Sequence, residues 1–512
     1  MRLSAATALL ALAACDCGSY PGSGTGDDPP AAIACAGVTA PPVALHDLAA
    51  GAAIGFQFSV CGHLLVRVDG VDRLAAPDLA GLAGLPVPEG WTEPRAGFSP
   101  TGELLRISSP EGTLLHDLAT GGGTVYPPAR YEGMLPSHDL GRSILQRCTD
   151  EGLVAVDRGE EKLVVPGASC DRHTFSAFLS PVTIATDARE RLLVADLESG
   201  AVLDTGLPLS EREEPTPEGE PAYRADAGFP SWDGGRILHM KRWEVFRGDT
   251  IDYVGPEELR VVEVEGGDTA VYPASAGDVV KGFFRTGFVW GHGWERTYVA
   301  GAAGSLAIDR RCNLAEVSPD GLRLLLACYE ESGPVRWQDR LVDTGDLSVR
   351  ELGGPWSVRQ LSAAGRAVAG CPVDAWRGGS CTVPVVRRWV DGEGLRELAL
   401  ERPGDVLWVG DDGAVLAAAS ARDEAWLLGP DGTVRTRFPI AGDPTGMVRV
   451  HAADGALLVH VEDGTLDVVV PATGFHARVA ERVRAAAFDG ARVAFTVPDR
   501  EGFRLRAGAA PR

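Results

Sequence analysis

Short apolar runs separated by turn sequences make up most of the chain. Between residues 97 and 121, apolar segments alternate with Ser99-Pro100-Thr101-Gly102, Pro110-Glu111-Gly112 and Ala119-Thr120-Gly121. Proline at the second position and glycine at the last suit a type I turn, so the first of these sequences predicts a connection between two strands. Apolar residues at helical spacing are nearly absent, and this pattern of short strands indicates an all-β fold.

The same turn recurs along the chain. Ser231-Trp232-Asp233-Gly234 and Ser318-Pro319-Asp320-Gly321 are the clearest copies. Weaker copies, each followed by a short apolar run, occupy residues 411–413, 453–455 and 488–490. The spacing between copies is about 40 residues, a period typical of β-propellers and related repeat arrays.

Counting modules from these turns predicts about eleven four-stranded units. They start near residues 56, 97, 136, 177, 228, 283, 317, 361, 408, 450 and 487. Propellers commonly have about 4 to 8 blades, so the count leaves two arrangements open. The chain forms either two rings, with a division near residues 278–312, or one large ring in which some modules are insertions.

The last module, Val483 to Arg506, lacks a final strand in its sequence pattern. The segment Val43 to Leu48 is apolar and precedes the first module. We expect it to supply the missing strand, because joining the two ends of the chain in one sheet closes the ring and removes an exposed edge.

The recurring cadence, Phe98-Ser99-Pro100-x-Gly102 followed by Asp117-Leu118-x-Thr120-Gly121, resembles TolB-like and WD-repeat-like β-propellers. The resemblance covers most of residues 38 to 508 and lies in structural turns. It implies a propeller domain over residues 38–512, and it carries over no active-site residue.

The N-terminus has the proportions of an export signal. Arg2 precedes a largely apolar stretch from Leu3 to Ala14, which is too short for the roughly 20 residues that span a bilayer. Leu12-Ala13-Ala14-Cys15 resembles the lipobox of bacterial lipoprotein signal peptides. This resemblance implies a signal peptide over residues 1–14 and a lipidated Cys15. The alternative is an ordinary cleaved signal that a cysteine follows by coincidence.

Residues 15–37 follow the leader and are rich in Gly, Ser, Pro and Asp, so we expect a flexible tether. The lipoprotein resemblance places the body of the protein in the cell envelope, outside the cytoplasm, on the inner or the outer membrane. The lipid anchor makes the membrane one partner. We expect a protein of the envelope as another.

The charge of the chain excludes one class of partner. Its net charge is −23, and no block of basic residues occurs. Nucleic acids need clustered Lys and Arg to replace their counterions, so no nucleic-acid partner is predicted.

Eight of the ten cysteines remain after Cys15 and Cys17 are set aside, and they form couples of sequence neighbours. The predicted couples are Cys35 with Cys61, Cys148 with Cys170, Cys312 with Cys328, and Cys371 with Cys381. Export permits disulfides, and proximity alone suggests this pairing. Structural zinc is the rival hypothesis, but no Cys-x-x-Cys pair or histidine ligand motif supports it, and no metal site is predicted.

The densest aromatic segment spans residues 283–298. On a strand, Phe288, Trp290, His292 and Trp294 would share one face and glycines the other. Two interpretations stay open: a recognition surface in which His292 is the polar group, or packing between neighbouring blades.

Two acidic features have a similar double interpretation. The Pro-rich segment 205–224 predicts a solvated loop. The alternative is binding of calcium or of a basic partner by Glu211, Glu213, Glu214, Glu218 and Glu220. The turn aspartates are expected to accept hydrogen bonds from backbone amides, with a cation-binding ring as the alternative. The aspartates are Asp226, Asp233, Asp320, Asp411, Asp412, Asp454 and Asp489.

No catalytic or cofactor-binding residue is predicted. The ten histidines have no consistent partner in the sequence, and Gly-x-Ser-x-Gly is absent. The favoured interpretation is a lipid-anchored binding or scaffold module. A propeller enzyme, such as a hydrolase, lyase or quinone-dependent dehydrogenase, is one alternative, and a component of outer-membrane protein assembly is another.

Overall fold

Every regular element in the described part of the chain is a β-strand. The computed structural model describes residues 41–137, 142–157, 159–168, 175–176, 182–186, 191–209, 211–213, 215, 222–247, 250–254, 258–273, 279–292, 296–330, 336–353, 356–372, 376–377, 380–442 and 447–511. Within these ranges there is no α-helix, and therefore none that could cross a membrane. The predicted all-β class is confirmed.

The strands of the described ranges form twelve antiparallel sheets. Eleven of them are the blades, numbered 1 to 11, and the twelfth is a two-stranded hairpin inserted in blade 8. Blade 1 contains β2 (Ile54–Phe58), β3 (Leu64–Val68), β4 (Val71–Ala75) and β5 (Leu82–Gly84); blade 2 contains β6 (Arg95–Phe98), β7 (Leu104–Ser109), β8 (Gly112–Asp117) and β9 (Gly123–Tyr126); blade 3 contains β10 (Tyr131–Ser137), β11 (Arg142–Thr149), β12 (Gly152–Asp157) and β13 (Glu160–Pro166); blade 4 contains β14 (Phe175–Ser176), β15 (Val182–Thr186), β16 (Arg191–Asp196) and β17 (Val202–Pro208).

Blades 5 and 8 carry additions to the four-strand pattern. Blade 5 has six strands, and blade 8 is interrupted by a separate two-stranded hairpin, β34 with β35. Blade 5 contains β18 (Glu211–Glu213), β19 (Tyr223–Pro230), β20 (Arg236–Arg247), β21 (Thr250–Val254), β22 (Glu258–Glu263) and β23 (Thr269–Pro273); blade 6 contains β24 (Val279–Phe284), β25 (Gly287–His292), β26 (Arg296–Gly301) and β27 (Gly304–Ile308); blade 7 contains β28 (Cys312–Val317), β29 (Arg323–Glu330), β30 (Arg336–Asp343) and β31 (Val349–Glu351); blade 8 contains β32 (Trp356–Leu361), β33 (Ala367–Pro372), β34 (Trp376–Arg377), β35 (Ser380–Cys381), β36 (Val385–Val390) and β37 (Gly394–Ala399).

The last three blades return to four strands each. Blade 9 contains β38 (Gly404–Val409), β39 (Val415–Ala419), β40 (Glu424–Leu428) and β41 (Val434–Pro439); blade 10 contains β42 (Val448–Ala453), β43 (Ala456–Val461), β44 (Gly464–Val470) and β45 (Phe475–Val483); blade 11 contains β46 (Ala485–Phe488), β47 (Arg492–Asp499), β48 (Gly502–Ala509) and β1 (His46–Gly51). Nine of the eleven predicted starts fall inside the first strand of their blades, with β46 counted as the first strand of blade 11. The start near residue 228 falls in β19, which follows β18 in blade 5, and residue 177 directly follows β14.

The recurring Ser-x-x-Gly turn joins the first and second strands of a blade. In blade 7, Gly321 N donates to Ser318 O at 2.7 Å, and Arg323 N donates to Ser318 Oγ at 2.8 Å. Gly321 has a φ of 67°, a conformation that glycine adopts at little cost. Blades 2, 5 and 8 repeat both bonds, so the serine and the glycine of the repeat have distinct mechanical roles.

The blades form one closed ring. Eleven apolar clusters each combine residues of two neighbouring blades, and one of them joins blade 11 to blade 1. First strands of neighbouring blades approach one another, for example β28 with β32 and β42 with β46, so they form the inner side of the ring. The fold is thus an eleven-bladed β-propeller, and its apolar seams are continuous across residues 278–312.

The N-terminal strand closes this ring. β1 pairs antiparallel with β48 and is the fourth strand of blade 11, as the sequence predicted for the neighbouring segment Val43 to Leu48. Before β1 begins, Val43 O accepts a further hydrogen bond from Ala509 N of β48 at 2.9 Å. Blade 11 is therefore built from both ends of the chain.

The two faces of the ring differ in their connections. The turn face carries the links between the first and second and between the third and fourth strands. The linker face carries the links between the second and third strands and those between blades. Val43 N donates to Asp78 O, and Ala510 N donates to Ala491 O, both in connections of the turn face. Both ends of the described chain therefore leave the ring on the turn face.

Candidate functional site

Two of the four residues of the predicted aromatic recognition surface, Phe288 and Trp290, lie in the interior of the ring. Phe288 and Trp290 are fully buried in the seam between blades 5 and 6. Trp290 stacks on Tyr298 with 5.3 Å between ring centroids and meets Tyr272 edge-on at 5.0 Å. His292 ends β25, and Trp294 lies outside the described residues. The alternative interpretation, packing between blades, accounts for both buried rings.

The reason lies in the position of β25 within its blade. Alternation along a strand identifies two faces but does not reveal whether water covers either of them. β25 is the second strand of blade 6, and neighbouring blades cover both of its faces. Val289 points the other way into the seam with blade 7 and is also fully buried.

The turn aspartates accept hydrogen bonds from backbone amides. Asp320 Oδ1 accepts from Leu322 N at 3.0 Å, and Asp412 Oδ1 accepts from Ala414 N at 2.9 Å. Asp411 reaches the neighbouring blade, where it accepts from Ala364 N at 2.9 Å. No group of three or more His, Cys, Asp or Glu side chains is arranged for a metal ion within the described ranges.

Two disulfides join couples that the sequence analysis paired. Cys312 bonds to Cys328 across β28 and β29, and Cys371 bonds to Cys381 around the inserted hairpin of blade 8. Cys61 and Cys148 are also disulfide-bonded, while their predicted partners, Cys35 and Cys170, lie outside the described residues together with Cys15 and Cys17.

The inserted hairpin of blade 8 is attached to the next blade. Cys381 N donates to Asp405 Oδ1, and Ser420 Oγ donates to Cys381 O, both at 2.7 Å. The hairpin therefore lies on the linker face across the seam between blades 8 and 9, where the disulfide fixes its base.

A groove of about 770 Å³ lies at the seam between blades 2 and 3, on the linker-face side. One wall is the inter-blade linker Pro127 to Arg130, and the other is formed by β12, β13 and the turn that joins β11 to β12. Two consecutive prolines restrict the backbone of the first wall. This feature is called the seam groove below, and it is the candidate functional site.

Arg147 forms the base of the seam groove and is fully buried. Its Nε donates to Glu132 at 3.0 Å, its Nη1 donates to Glu161 at 2.7 Å, and its Nη2 donates to Pro127 O. The guanidinium also lies over the Tyr126 ring at 5.2 Å from the centroid. Every nitrogen of Arg147 is thus engaged within the protein, as burial of a charge requires.

Buried cations bind the carbonyls of a neighbouring blade at other seams as well. Arg388 Nη1 of blade 8 donates to Gly413 O at 3.1 Å and also to Pro430 O, both in blade 9. Arg492 of blade 11 donates to Gly62 O of blade 1. Burial of a cation is therefore a structural device of this ring, and at the blade 2 to blade 3 seam an open volume adjoins the buried cation.

The mouth of the seam groove is acidic. Asp150 pairs with Arg130 at 2.9 Å, and 85% of the Asp150 side chain is exposed. Glu151 is exposed on the adjacent turn, and Glu161 remains partly accessible while it binds Arg147. Leu163, on the same face of β13 as Glu161, contributes an apolar surface of which 42% is exposed.

Burial raises the pKa of Tyr126, whose ring lies under the Arg147 guanidinium, and further shifted pKa values occur away from the seam groove. Burial raises the pKa of Glu316 to about 8, although its carboxylate accepts a hydrogen bond from Leu361 N at 2.8 Å. Burial also lowers the pKa of His460, whose Nε2 lies 3.1 Å from Val483 O. Glu316 and His460 sit in different seams, so they do not form a paired acid and base.

Sequence reasoning missed the seam groove because its parts are ordinary in isolation. Pro127-Pro128 indicates a rigid linker, and Arg147 is one arginine among many. Only the pairing of β10 with β11, together with the packing of blade 2 against blade 3, places Arg147 beneath the linker.

No protein-family model matches the chain, and no curated protein matches it. Among solved structures, oligogalacturonate lyase from Vibrio parahaemolyticus is 11% identical, with a TM-score of 0.28, and the match covers 92% of this chain and 99% of that one. The dihydro-heme d1 dehydrogenase NirN is 13% identical, with a TM-score of 0.31 and coverage of 87% and 78%. A eukaryotic initiation factor is 10% identical, with a TM-score of 0.34 and coverage of 75% and 95%.

Proposed function

We propose that this protein is an exported, lipid-anchored β-propeller that acts as a binding or scaffold module of the cell envelope. The path of the N-terminal segment is the observation that carries the proposal. That segment reaches the ring at Val43 on the turn face, whereas the seam groove is lined by the blade 2 to blade 3 linker and the β11–β12 turn, which belong to the linker face. An anchor at Cys15 would therefore leave the groove accessible from the side opposite the attachment point.

The leader and the cysteines support export. Leu12 to Cys15 resembles a lipobox, and cleavage before Cys15 would leave a thiol for lipid attachment. Disulfides persist in oxidising compartments outside the cytoplasm, and the buried bond between Cys312 and Cys328 fits such a location. Several acyl chains on one cysteine would hold the protein firmly at a bilayer.

The length of the tether sets the reach of the ring. From Cys15 to the end of the predicted tether at residue 37 the chain advances 22 residues (37 − 15). Fully extended, this length would span at most about 80 Å, and as a flexible coil it would span roughly 25 Å. The ring would thus work close to the membrane and remain free to reorient.

Metabolic labelling with a clickable fatty-acid analogue tests the anchor. We expect label on the wild type and none on Cys15→Ala. Cys17→Ala is the matched control, because it removes a thiol two residues away and should leave labelling unchanged. Equal labelling of the wild type and Cys15→Ala would overturn the anchor.

Site-specific photocrosslinking in native membranes tests the binding role. A photoreactive residue replaces Leu163 in the seam groove or, as the control, Leu395 on the outer strand of blade 8, which is equally exposed at 42%. We expect one discrete adduct at position 163 and none at position 395. The same adducts at both positions, or none at either, would contradict a binding role for the groove.

A further inference from the structure

We infer that the seam groove binds an extended peptide segment that carries a cationic side chain. The inference deepens the proposed function by naming the ligand class, and it rests on the groove being a binding site. Its support comes from the shape, the alternation and the charge of the lining residues.

The shape suits an extended chain. A volume of about 770 Å³ lies within the range of roughly 300 to 1,000 Å³ typical of ligand sites. Its lining comprises an inter-blade linker on one side and β12, β13 and the β11–β12 turn on the other, so a bound segment would lie between two stretches of backbone. Pro127 and Pro128 have no backbone N–H, and the Pro127 carbonyl already accepts a hydrogen bond from Arg147, so this part of the wall offers a ligand mainly proline ring surface.

The β13 wall alternates in a way that an extended ligand can match. Glu161 and Leu163 are two residues apart, so they lie on the same face of the strand, about 6 to 7 Å from each other along it. A bound segment with the same period would place a cationic side chain at Glu161 and an apolar one at Leu163.

The charge of the lining favours a cation. Arg130 and Arg147 face Asp150, Glu151 and Glu161, which gives a formal sum of −1, and Glu132 beneath Arg147 brings it to −2. Arg147 is fully buried and already paired with the carboxylates of Glu132 and Glu161, so its charge is compensated within the protein. Carboxylates therefore outnumber cations by one in the lining, and Glu151 is the exposed carboxylate at its mouth.

The net negative charge of the entire chain also favours a cationic ligand. With a net charge of −23, the protein attracts cationic segments over longer distances. Such attraction is not specific to one site, so the test must separate the groove from the general charge.

Equilibrium binding of two labelled peptides to the full-length protein in detergent tests the inference. The probes are hexapeptides that alternate alanine with lysine or alanine with glutamate. We expect the lysine peptide to bind and the glutamate peptide not to bind. Equal binding of both peptides, or binding of the glutamate peptide alone, would overturn the inference.

A charge-reversed variant and its matched control locate the site. Glu151→Lys at the groove mouth is expected to weaken binding of the lysine peptide by at least about tenfold, which corresponds to 1.4 kcal/mol. Glu89→Lys makes the same change of net charge on the preceding inter-blade linker, where Glu89 is exposed, and it should alter binding less than twofold. Equal loss in both variants would show non-specific attraction and overturn the groove as the site.

The result remains separable from the anchor and from the envelope partner. The peptide assay uses purified protein in solution, so it is independent of lipid attachment. If fatty-acid labelling fails and the lysine peptide still binds through Glu151, the anchor alone falls. If crosslinking at position 163 finds a partner and the lysine peptide does not bind, the ligand class falls while the binding role stands.

Discussion

Asp47 forms an ion pair with Arg504, with 2.9 Å between Oδ2 and Nη1, although 457 positions separate the two residues in the chain. The pair joins β1 to β48 across the closure of the ring. Both side chains are about half exposed, so the ion pair itself contributes little, about 0 to 1 kcal/mol. The backbone pairing of β1 with β48 and the apolar seams around it carry the closure.

We therefore predict different effects for the ion pair and the strand. Asp47→Ala should lower the free energy of unfolding by less than about 1 kcal/mol. Deletion of residues 46–51 should lower the unfolding midpoint strongly and promote association, because β48 would become an exposed edge. Urea denaturation and light scattering measure both effects, and a deletion variant as stable as Asp47→Ala would contradict the closing role of β1.

Trp290 should behave as a core residue. Trp290→Ala is expected to cost about 3 to 5 kcal/mol of stability, because it leaves a cavity between Tyr272 and Tyr298. Trp290→Phe should cost less, since it also removes a buried N–H that has no partner among the described residues. Val271→Ala, at a side chain that is 60% exposed, serves as the control in chemical denaturation.

If the Trp290→Ala variant were as stable as the wild type, the core role of Trp290 would be contradicted and the interpretation as a recognition surface would be favoured again. The expected order of stability is wild type, then Val271→Ala, then Trp290→Phe, then Trp290→Ala. The spacing between the last two measures the cavity left by the aromatic ring.

His460 should make the seam between blades 10 and 11 sensitive to acid. Burial lowers its folded-state pKa below the ordinary 6.5, so the unfolded chain binds more protons on acidification. Its stabilising contribution is complete above pH 6.5 and is lost as the pH falls toward the lowered value. His451 faces the same seam and has a pKa lowered for the same cause, with His460 itself as the second influence.

His460→Gln removes the titrating ring and can retain a donor toward Val483 O. We expect the variant to lose less stability than the wild type between pH 7 and pH 5, measured by urea denaturation at each pH. Parallel curves for the two proteins would show that His460 does not contribute to the acid sensitivity.

The two disulfides whose cysteines both lie in the described ranges should differ in how much of the structure they stabilise. Replacing Cys312 and Cys328 by serine should lower the free energy of unfolding by about 3 kcal/mol, because the bond closes a 16-residue separation within blade 7. Replacing Cys371 and Cys381 should act locally, since these cysteines clamp the inserted hairpin. Hydrogen exchange should increase around Cys381 and Ser420 in the second variant and across blade 7 in the first. The reverse distribution would contradict these roles.

The repeat and its boundaries were predictable because they rest on local chemistry. Ser318, Asp320 and Gly321 meet the backbone requirements of one turn, whatever lies elsewhere in the chain. A turn with these residues marks the first strand of a blade, and regular spacing then yields the module count. The missing last strand was visible for the same reason, since one module ended early and an apolar segment stood at the opposite end.

The sequence by itself determined the all-β class, the four-strand module, the number of modules and the closure by an N-terminal strand, because each follows from turn chemistry and strand alternation over a few residues. The tertiary structure decided that the modules form one ring, that Trp290 is core, and that Arg147 lies beneath the Pro127 linker. Those facts depend on which surfaces a neighbouring blade covers. Burial of this kind depends on packing between segments that are distant in the chain, so it cannot be predicted from the pattern of a few adjacent residues.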